Sequence, residues 1–328
     1  MAVLCCAVAL GAALAGCGAG GSPSGETAAE MKEVRLPRNA YPRFVTFSRD
    51  GSLWISESDG DAVARLHPNG ELQQYWLPGT DNSPGDLEEA PDGAMWVASF
   101  LTMFRIGPDG SIVRPDGLPE SPGLNDPSAL VAGSDGAMWF TTASTPPHLV
   151  RIGPGGTARA VRLPVRGFEV EASGVAEGPD GAFWLTLGAN EPWEAPDAIA
   201  RVTKVGKVRI WRLPGKRSQP QRIVAGRDGA LWFTEEAGYR IGRIGLDGEV
   251  EEFGLRPGIA PFDIAAGPDG ALWFSTTRRV GRITTGGRIS TWPVPGAERL
   301  AGIAVAGDGS VWVADSPANI VHHFHPPL

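Results

Sequence analysis

The sequence predicts an all-β fold, a seven-bladed β-propeller of four-stranded blades, on three observations. A phrase built around Asp-Gly and Trp recurs seven times. A second strand-turn-strand phrase lies between its copies, and two halves of such a phrase stand at opposite ends of the chain. Fixed periodicity of about 40 residues, with two hairpins per period, marks propeller blades and excludes a helical solenoid.

The first phrase reads SRDGSLWISE, APDGAMWVAS, GSDGAMWFTT, GPDGAFWLTL, GRDGALWFTE, GPDGALWFST and AGDGSVWVAD, with Trp at 54, 96, 139, 184, 232, 273 and 312. Apolar alternation flanks each Asp-Gly, and that dipeptide supplies the positive φ values of a tight turn, so each copy is a β-hairpin. One Trp per copy, at a fixed strand position, fits packing between blades better than a ligand platform.

The second phrase appears as VARLHPNGELQQYWLP, MFRIGPDGSIVRPDGLP, LVRIGPGGTARAVRLP, IARVTKVGKVRIWRLP, IGRIGLDGEVEEFGLR and VGRITTGGRISTWPVP. Its seventh copy is split, with IVHHFHP at 320–326 and EVRLP at 33–37. The N-terminal strand 33–37 is therefore expected to join the C-terminal blade and close the ring, which removes a free sheet edge.

Ahead of this domain (33–328), residues 1–16 read as a secretory leader, because the apolar run from Ala2 to Ala15 is too short to span a bilayer. Leu14-Ala15-Gly16-Cys17 resembles a bacterial lipobox, which predicts lipid attachment at Cys17, membrane anchoring and export to the cell envelope; a secreted, unanchored product is the alternative. No Lys or Arg precedes the apolar run, unlike a usual leader. Residues 17–32 read as a flexible tether rich in Gly, Ser and Ala. A net charge of −8 argues against nucleic-acid binding, and the remaining partners are a small molecule or a surface protein, with a monomer expected.

A site is expected on the face where each innermost strand starts and each second strand ends. The starts read PRFV at 42, PGDL at 84, PSAL at 127, ASGV at 172, PQRI at 220, PFDI at 261 and LAGI at 300. The ends are Glu57, Ser99, Thr142, Leu187, Glu235, Thr276 and Asp315. Glu57, Glu235 and Asp315, joined by Asp86, Asp263, Arg43 and Arg222, would form one polar rim for a cation or polar ligand, and Glu235 with Asp263 are the metal candidates, suited to Mg²⁺ or Ca²⁺. The segment Leu187–Ala198 carries Trp193 and reads as a loop covering this face. His322, His323 and His325 offer at most two ligands together, since neighbours on a strand point to opposite sides. His67 is placed in an outer turn and His148 in a peripheral loop, so no Ser-His-Asp or Cys-His nucleophilic arrangement is supported.

The paired phrases GRDGALWFTEEAGYRIGRIGLDG at 226–248 and GPDGALWFSTTRRVGRITTGG at 267–287 resemble the virginiamycin B (streptogramin B) lyase family, over residues 33–328. They are also similar to NHL-type interaction repeats. The lyase resemblance implies a seven-bladed propeller that opens a cyclic depsipeptide by Mg²⁺-assisted elimination, with His moving the proton and Glu holding the metal. The family's histidines follow Pro in a Pro-His-Gly-Ile-like phrase. The matching places here are Gln221 and Phe262, and the family's glutamates fall on Ala260 and Thr276. Three functions follow: a binding module on the cell surface, a metal-dependent carbon-oxygen lyase with altered base or substrate, and a passive envelope lipoprotein.

Overall fold

The computed structural model describes residues 31–327 apart from 80, 101, 117, 119–123, 125, 166–168, 192–196 and 216. The leader, Cys17 and Trp193 lie outside the described residues. Strand β1 is Met31–Arg35. Blade 1 comprises β2–β5 (Pro42–Phe47, Leu53–Glu57, Ala62–Leu66, Leu72–Trp76) and blade 2 comprises β6–β9 (Leu87–Glu89, Met95–Ser99, Thr102–Ile106, Ile112–Val113). Blade 3 is β10–β13 (Pro127–Ala132, Met138–Thr142, His148–Ile152, Ala158–Arg162) and blade 4 is β14–β17 (Glu169–Glu177, Phe183–Glu191, Ala198–Val202, Val208–Arg212). Blade 5 is β18–β21 (Pro220–Ala225, Leu231–Glu235, Arg240–Ile244, Val250–Gly254) and blade 6 is β22–β25 (Pro261–Ala266, Leu272–Thr276, Arg279–Ile283, Ile289–Pro293). Blade 7 holds β26–β28 (Leu300–Val305, Val311–Asp315, Ile320–Phe324), with β1 as its outermost strand.

The seven four-stranded sheets are the expected propeller. The closing strand is Met31–Arg35 rather than 33–37, paired from Met31↔Phe324 to Arg35↔Ile320. Leu36 follows the strand as a buried residue whose N–H donates to Asn319 O at 2.9 Å, and Pro37 has no N–H to give a ladder, so the pairing ends there.

The second strands are the core. In β3, β7, β11, β19 and β23 every residue is buried. Four of the repeated Trp rings stack on an aromatic of the same blade's fourth strand: Trp54 on Tyr75, Trp184 on Trp211, Trp232 on Phe253 and Trp273 on Trp292, at 5.2–5.6 Å. Packing between blades, the role expected of the Trp positions, is seen at Trp139, which stacks on Phe183 of blade 4 at 4.2 Å, and at Trp54 and Trp184, which share core clusters with Leu87 of blade 2 and Ile223 of blade 5. Gly242 and Gly281 let the third strand cross beneath Phe233 and Phe274, since a Cβ would come within 2.1 and 2.0 Å of those rings.

Six blades carry a further device on the Trp strand. Arg65, Arg105, Arg151, Arg201, Arg243 and Arg282 sit opposite their Trp and pair with the Asp of the Asp-Gly turn: Asp50, Asp92, Asp135, Asp180, Asp228 and Asp269. In blade 7 the corresponding residue is His323, stacked on Trp312 at 4.0 Å.

Candidate functional site

Six of the seven innermost strands carry an irregularity near their start that re-aims side chains. The register shifts between Pro42 and Val45, Pro127 and Leu130, Ala172 and Gly174, Pro220 and Ile223, Pro261 and Ile264, and Leu300 and Ile303. Such bulges leave a backbone N–H without its ladder partner and re-aim the local side chain. A hydroxyl two residues after the Trp takes up that N–H: Phe44 N donates to Ser56 Oγ (2.9 Å), Ala129 N to Thr141 Oγ1 (3.1 Å), Arg222 N to Thr234 Oγ1 (3.1 Å) and Asp263 N to Ser275 Oγ (3.1 Å). The same hydroxyls reach the next blade, Thr234 donating to Phe262 O at 3.0 Å and Thr186 to Gln221 O at 2.7 Å. These Ser and Thr residues were not singled out from the sequence, although their fixed place after Trp was the available signal.

Of the third residues of the seven starts (Phe44, Asp86, Ala129, Gly174, Arg222, Asp263 and Gly302), Asp86, Gly174, Arg222 and Asp263 line the channel cavity, and Gly174 and Gly302 let the backbone of Arg222 and Phe44 in the next blade pass close by. Arg222 spans the channel, donating to Asp86 and, through Nε, to Asp263 Oδ1 at 3.4 Å. Its guanidinium carbon lies 4.5 Å from the Phe44 ring centroid, and Phe44 stacks on Phe262 at 6.1 Å. Burial acts to lower the Arg222 pKa, but Asp86 and Asp263 more than offset it and hold the guanidinium above its ordinary value. Burial raises Asp263, against the pull of Arg222 and of the Ile303 and Ile264 N–H groups. Beneath this plug lies a cavity of about 360 Å³. Glu88 lines it, its pKa pushed up to about 7 by burial, with Asp86 and Glu89 adding to the effect.

The single rim expected from sequence divides into two sets. Asp86, Arg222 and Asp263 meet in the channel, whereas Glu57, Glu235 and Asp315 turn outward, beneath their own blades. Glu57 accepts from Gln74 Nε2 at 3.0 and 2.8 Å and has its pKa raised to about 7 by burial. Glu235 pairs with Arg240 at 2.8 Å and leaves Oε1 buried without a partner; burial raises its pKa, with Ser218 and Arg240 opposing. Asp315 accepts the Glu298 and Arg299 N–H groups at 2.9 and 3.0 Å and faces His322 at 3.4 Å. The physical reason is strand geometry: the last residue of the second strand faces the third strand of its own sheet, while the bulge of the first strand faces the channel. Glu235 and Asp263, the metal candidates, are thus committed to different arginines. No group of three His, Cys, Asp or Glu able to hold a metal occurs among the described residues.

His148 is the first residue of β12, not a loop residue, with its N–H donating to Thr142 Oγ1 at 3.0 Å. Within the span read as a covering loop, β15 continues to Glu191 and pairs with β14, so 188–191 is strand.

The channel face is also where the backbone is strained. The nine non-glycine residues with positive φ among those described are Asn39, Tyr41, Asp61, Asp81, Ser83, Arg217, Gln219, Tyr239 and Asn319. All occupy connections on this face, between second and third strands or between blades. Such conformations cost of order 1–3 kcal/mol each and concentrate where a site is being held in shape.

At the positions where the family resemblance expects reactive groups, the side chains are engaged otherwise or are inert. Phe262 stacks on Phe44, Thr276 Oγ1 donates to Arg279 O at 2.9 Å, Gln221 is half-buried, and Ala260 carries no polar group. Mg²⁺ prefers several oxygen donors including carboxylates, and this donor set does not fit it.

The virginiamycin B lyase family profile matches residues 24–190 and 161–325. A virginiamycin B lyase of Nocardia farcinica is 33% identical over 214 residues, which cover 65% of this chain and 70% of the relative. The structure of virginiamycin B lyase from Staphylococcus aureus superposes with a TM-score of 0.81 at 28% identity, covering 90% of this chain and 99% of the other. A catalytically inactive histidine-to-alanine variant of the S. aureus enzyme with quinupristin superposes with a TM-score of 0.80, at 28% identity and the same coverage. Matches spanning all seven blades, on the same architecture, place the fold and its ancestry together: the chain belongs to the virginiamycin B lyase family.

Proposed function

We propose that the chain is an exported propeller, lipid-anchored through Cys17, that binds a small molecule or a surface protein on its channel face without the family's elimination chemistry. One observation carries this reading: Gln221, Phe262, Ala260 and Thr276 stand where the family resemblance requires His and Glu. Elimination needs a base within hydrogen-bond reach of the proton it removes, and none of these four can serve at neutral pH. The loss of activity in the S. aureus enzyme on replacing one histidine agrees with such a requirement there.

A lyase with a different base is the second reading, favoured by Glu236. This half-buried carboxyl has its pKa raised by burial, with Arg299 opposing, which suits a proton acceptor. The deciding experiment follows ring opening of a streptogramin B in Mg²⁺ by the wild type and by Gln221→His/Ala260→Glu/Phe262→His/Thr276→Glu. The expected result is no turnover by the wild type and measurable turnover by the quadruple variant. Turnover by the wild type, abolished in Glu236→Gln, would overturn the binding reading in favour of the lyase.

A further inference from the structure

Away from the channel face, the blades repeat one arrangement that blade 7 breaks. In blade 1 the cross-strand row Trp54, Arg65, Gln73 is followed two residues on by Tyr75, which stacks on Trp54. Trp211, Phe253 and Trp292 hold the same place in blades 4, 5 and 6. Tyr75, Trp211 and Phe253 also reach the glycine in the outer turn of the following blade, Gly110, Gly248 and Gly287, where an added Cβ would meet the ring. At these junctions an aromatic ring is held between a Trp and a glycine turn, on the face opposite the bulged strand starts.

In blade 7 the row is Trp312, His323, Lys32, and two residues on stands Val34. The glycine turn is present, as Gly70 between β4 and β5 of blade 1, but the ring is missing. A cavity of about 290 Å³ occupies the place, walled by Val34, Leu53, Leu66, Gly70, Leu72 and Trp312. His323 stacks on Trp312 at 4.0 Å and Phe47 meets it edge-on at 6.1 Å, but they do not seal it. Trp312 is half-buried, whereas the other six repeated Trp residues are at most 7% exposed. Blade 3 also carries a valine at this place, Val161, but there Phe183 of blade 4 supplies a ring to Trp139 at 4.2 Å. In blade 2, β9 ends at Val113, short of the place, and the space beside Trp96 is a broad cleft of about 980 Å³. Residues 1–30, ahead of β1, contain no Phe, Tyr or Trp to fill the gap at blade 7. An apolar cavity of about 150 Å³ takes up benzene, so this one has room for the fused rings of an indole, the group that Trp211 and Trp292 place there in blades 4 and 6. Its walls are mainly apolar and would penalise a charged ligand, while His67 and His323 border it and can meet one polar atom at the ring's edge.

We propose that the junction of blades 7 and 1 binds a small uncharged aromatic molecule of indole size, seated between Val34 and Gly70 where other blades carry a ring of their own. The site lies apart from the channel face and does not rest on the function proposed for that face. The test titrates the full chain with indole by calorimetry and follows the melting temperature in the same solutions. Indole should bind the wild type saturably and raise its melting temperature, since a ligand held by the closed ring stabilises it. Val34→Trp supplies the missing ring, so it should lose indole binding and melt higher than the wild type without ligand. Val34→Ala leaves the space open and should keep indole binding, which separates filling of the cavity from damage to β1. No saturable binding by the wild type, unchanged binding by Val34→Trp, or loss of binding in Val34→Ala overturns the assignment.

Discussion

Glu57 shows how much a residue's role depends on the direction it faces. Its place at the end of a Trp strand is legible in the sequence, and its acidic type suggested a ligand group. In the structure it is buried under blade 1 against Gln74, with a pKa near 7 in place of the ordinary 4.5. The native state therefore holds a proton that the unfolded chain has released between about pH 4.5 and 7, and stability falls as pH rises through that window. Replacing Glu57 with Gln removes the dependence. Chemical denaturation should show Glu57→Gln more stable than wild type at pH 7.5, by up to about 3 kcal/mol, and similar to it at pH 4.5. An equal or lower stability at pH 7.5 would sink this account. Glu235 and Asp315 were misread for the same reason: strand alternation gives a side, but which side faces the channel depends on how the sheet is docked.

At the scale of the strand, the second phrase was read as strand-turn-strand, yet its recurrent Arg went unused. VARL, MFRI, LVRI, IARV, IGRI and VGRI each carry it, while the last copy reads IVHHF. Only the folded hairpin shows that this Arg lies over Trp and reaches the turn Asp. In β28 the place is taken by His323, whose pKa is lowered by burial first, then by His325 and Lys32, with Asp308 opposing. For a base whose native pKa is depressed, stability is present above the unfolded value near 6.5 and is lost as pH falls below it. His323→Arg should restore the Asp308 pairing of the other blades, add about 1 kcal/mol, and flatten the loss of melting temperature between pH 7 and 5. A variant that melts lower at both pH values would refute it. The bulges at the strand starts were not legible either, because a one-residue register shift has no sequence pattern beyond the loose Pro-x-x-apolar phrase.

Across the molecule, the ring is joined by β1 at its rim and by Arg222 at its centre. The latter links blade 5 to blades 2 and 6 through Asp86 and Asp263, which also accept the N–H groups of Leu130 and Ile303 from blades 3 and 7. Removing the cation alone strands two buried carboxylates, so Arg222→Met should cost about 3–5 kcal/mol in urea denaturation. Arg222→Met/Asp86→Asn/Asp263→Asn should regain most of that loss, because burying no charge at all costs less than burying an unpaired one. A triple variant no more stable than the single one would contradict this. The sequence by itself determined the number of blades, their four strands and the splice of the chain ends, because repeat spacing and residue identity are local quantities. Tertiary structure alone decided that the acids divide into a channel set and a blade set, and that Arg222 meets carboxylates 136 and 41 positions away. Those contacts form only when bulged strands from separate blades converge on one axis, and no local pattern encodes that convergence.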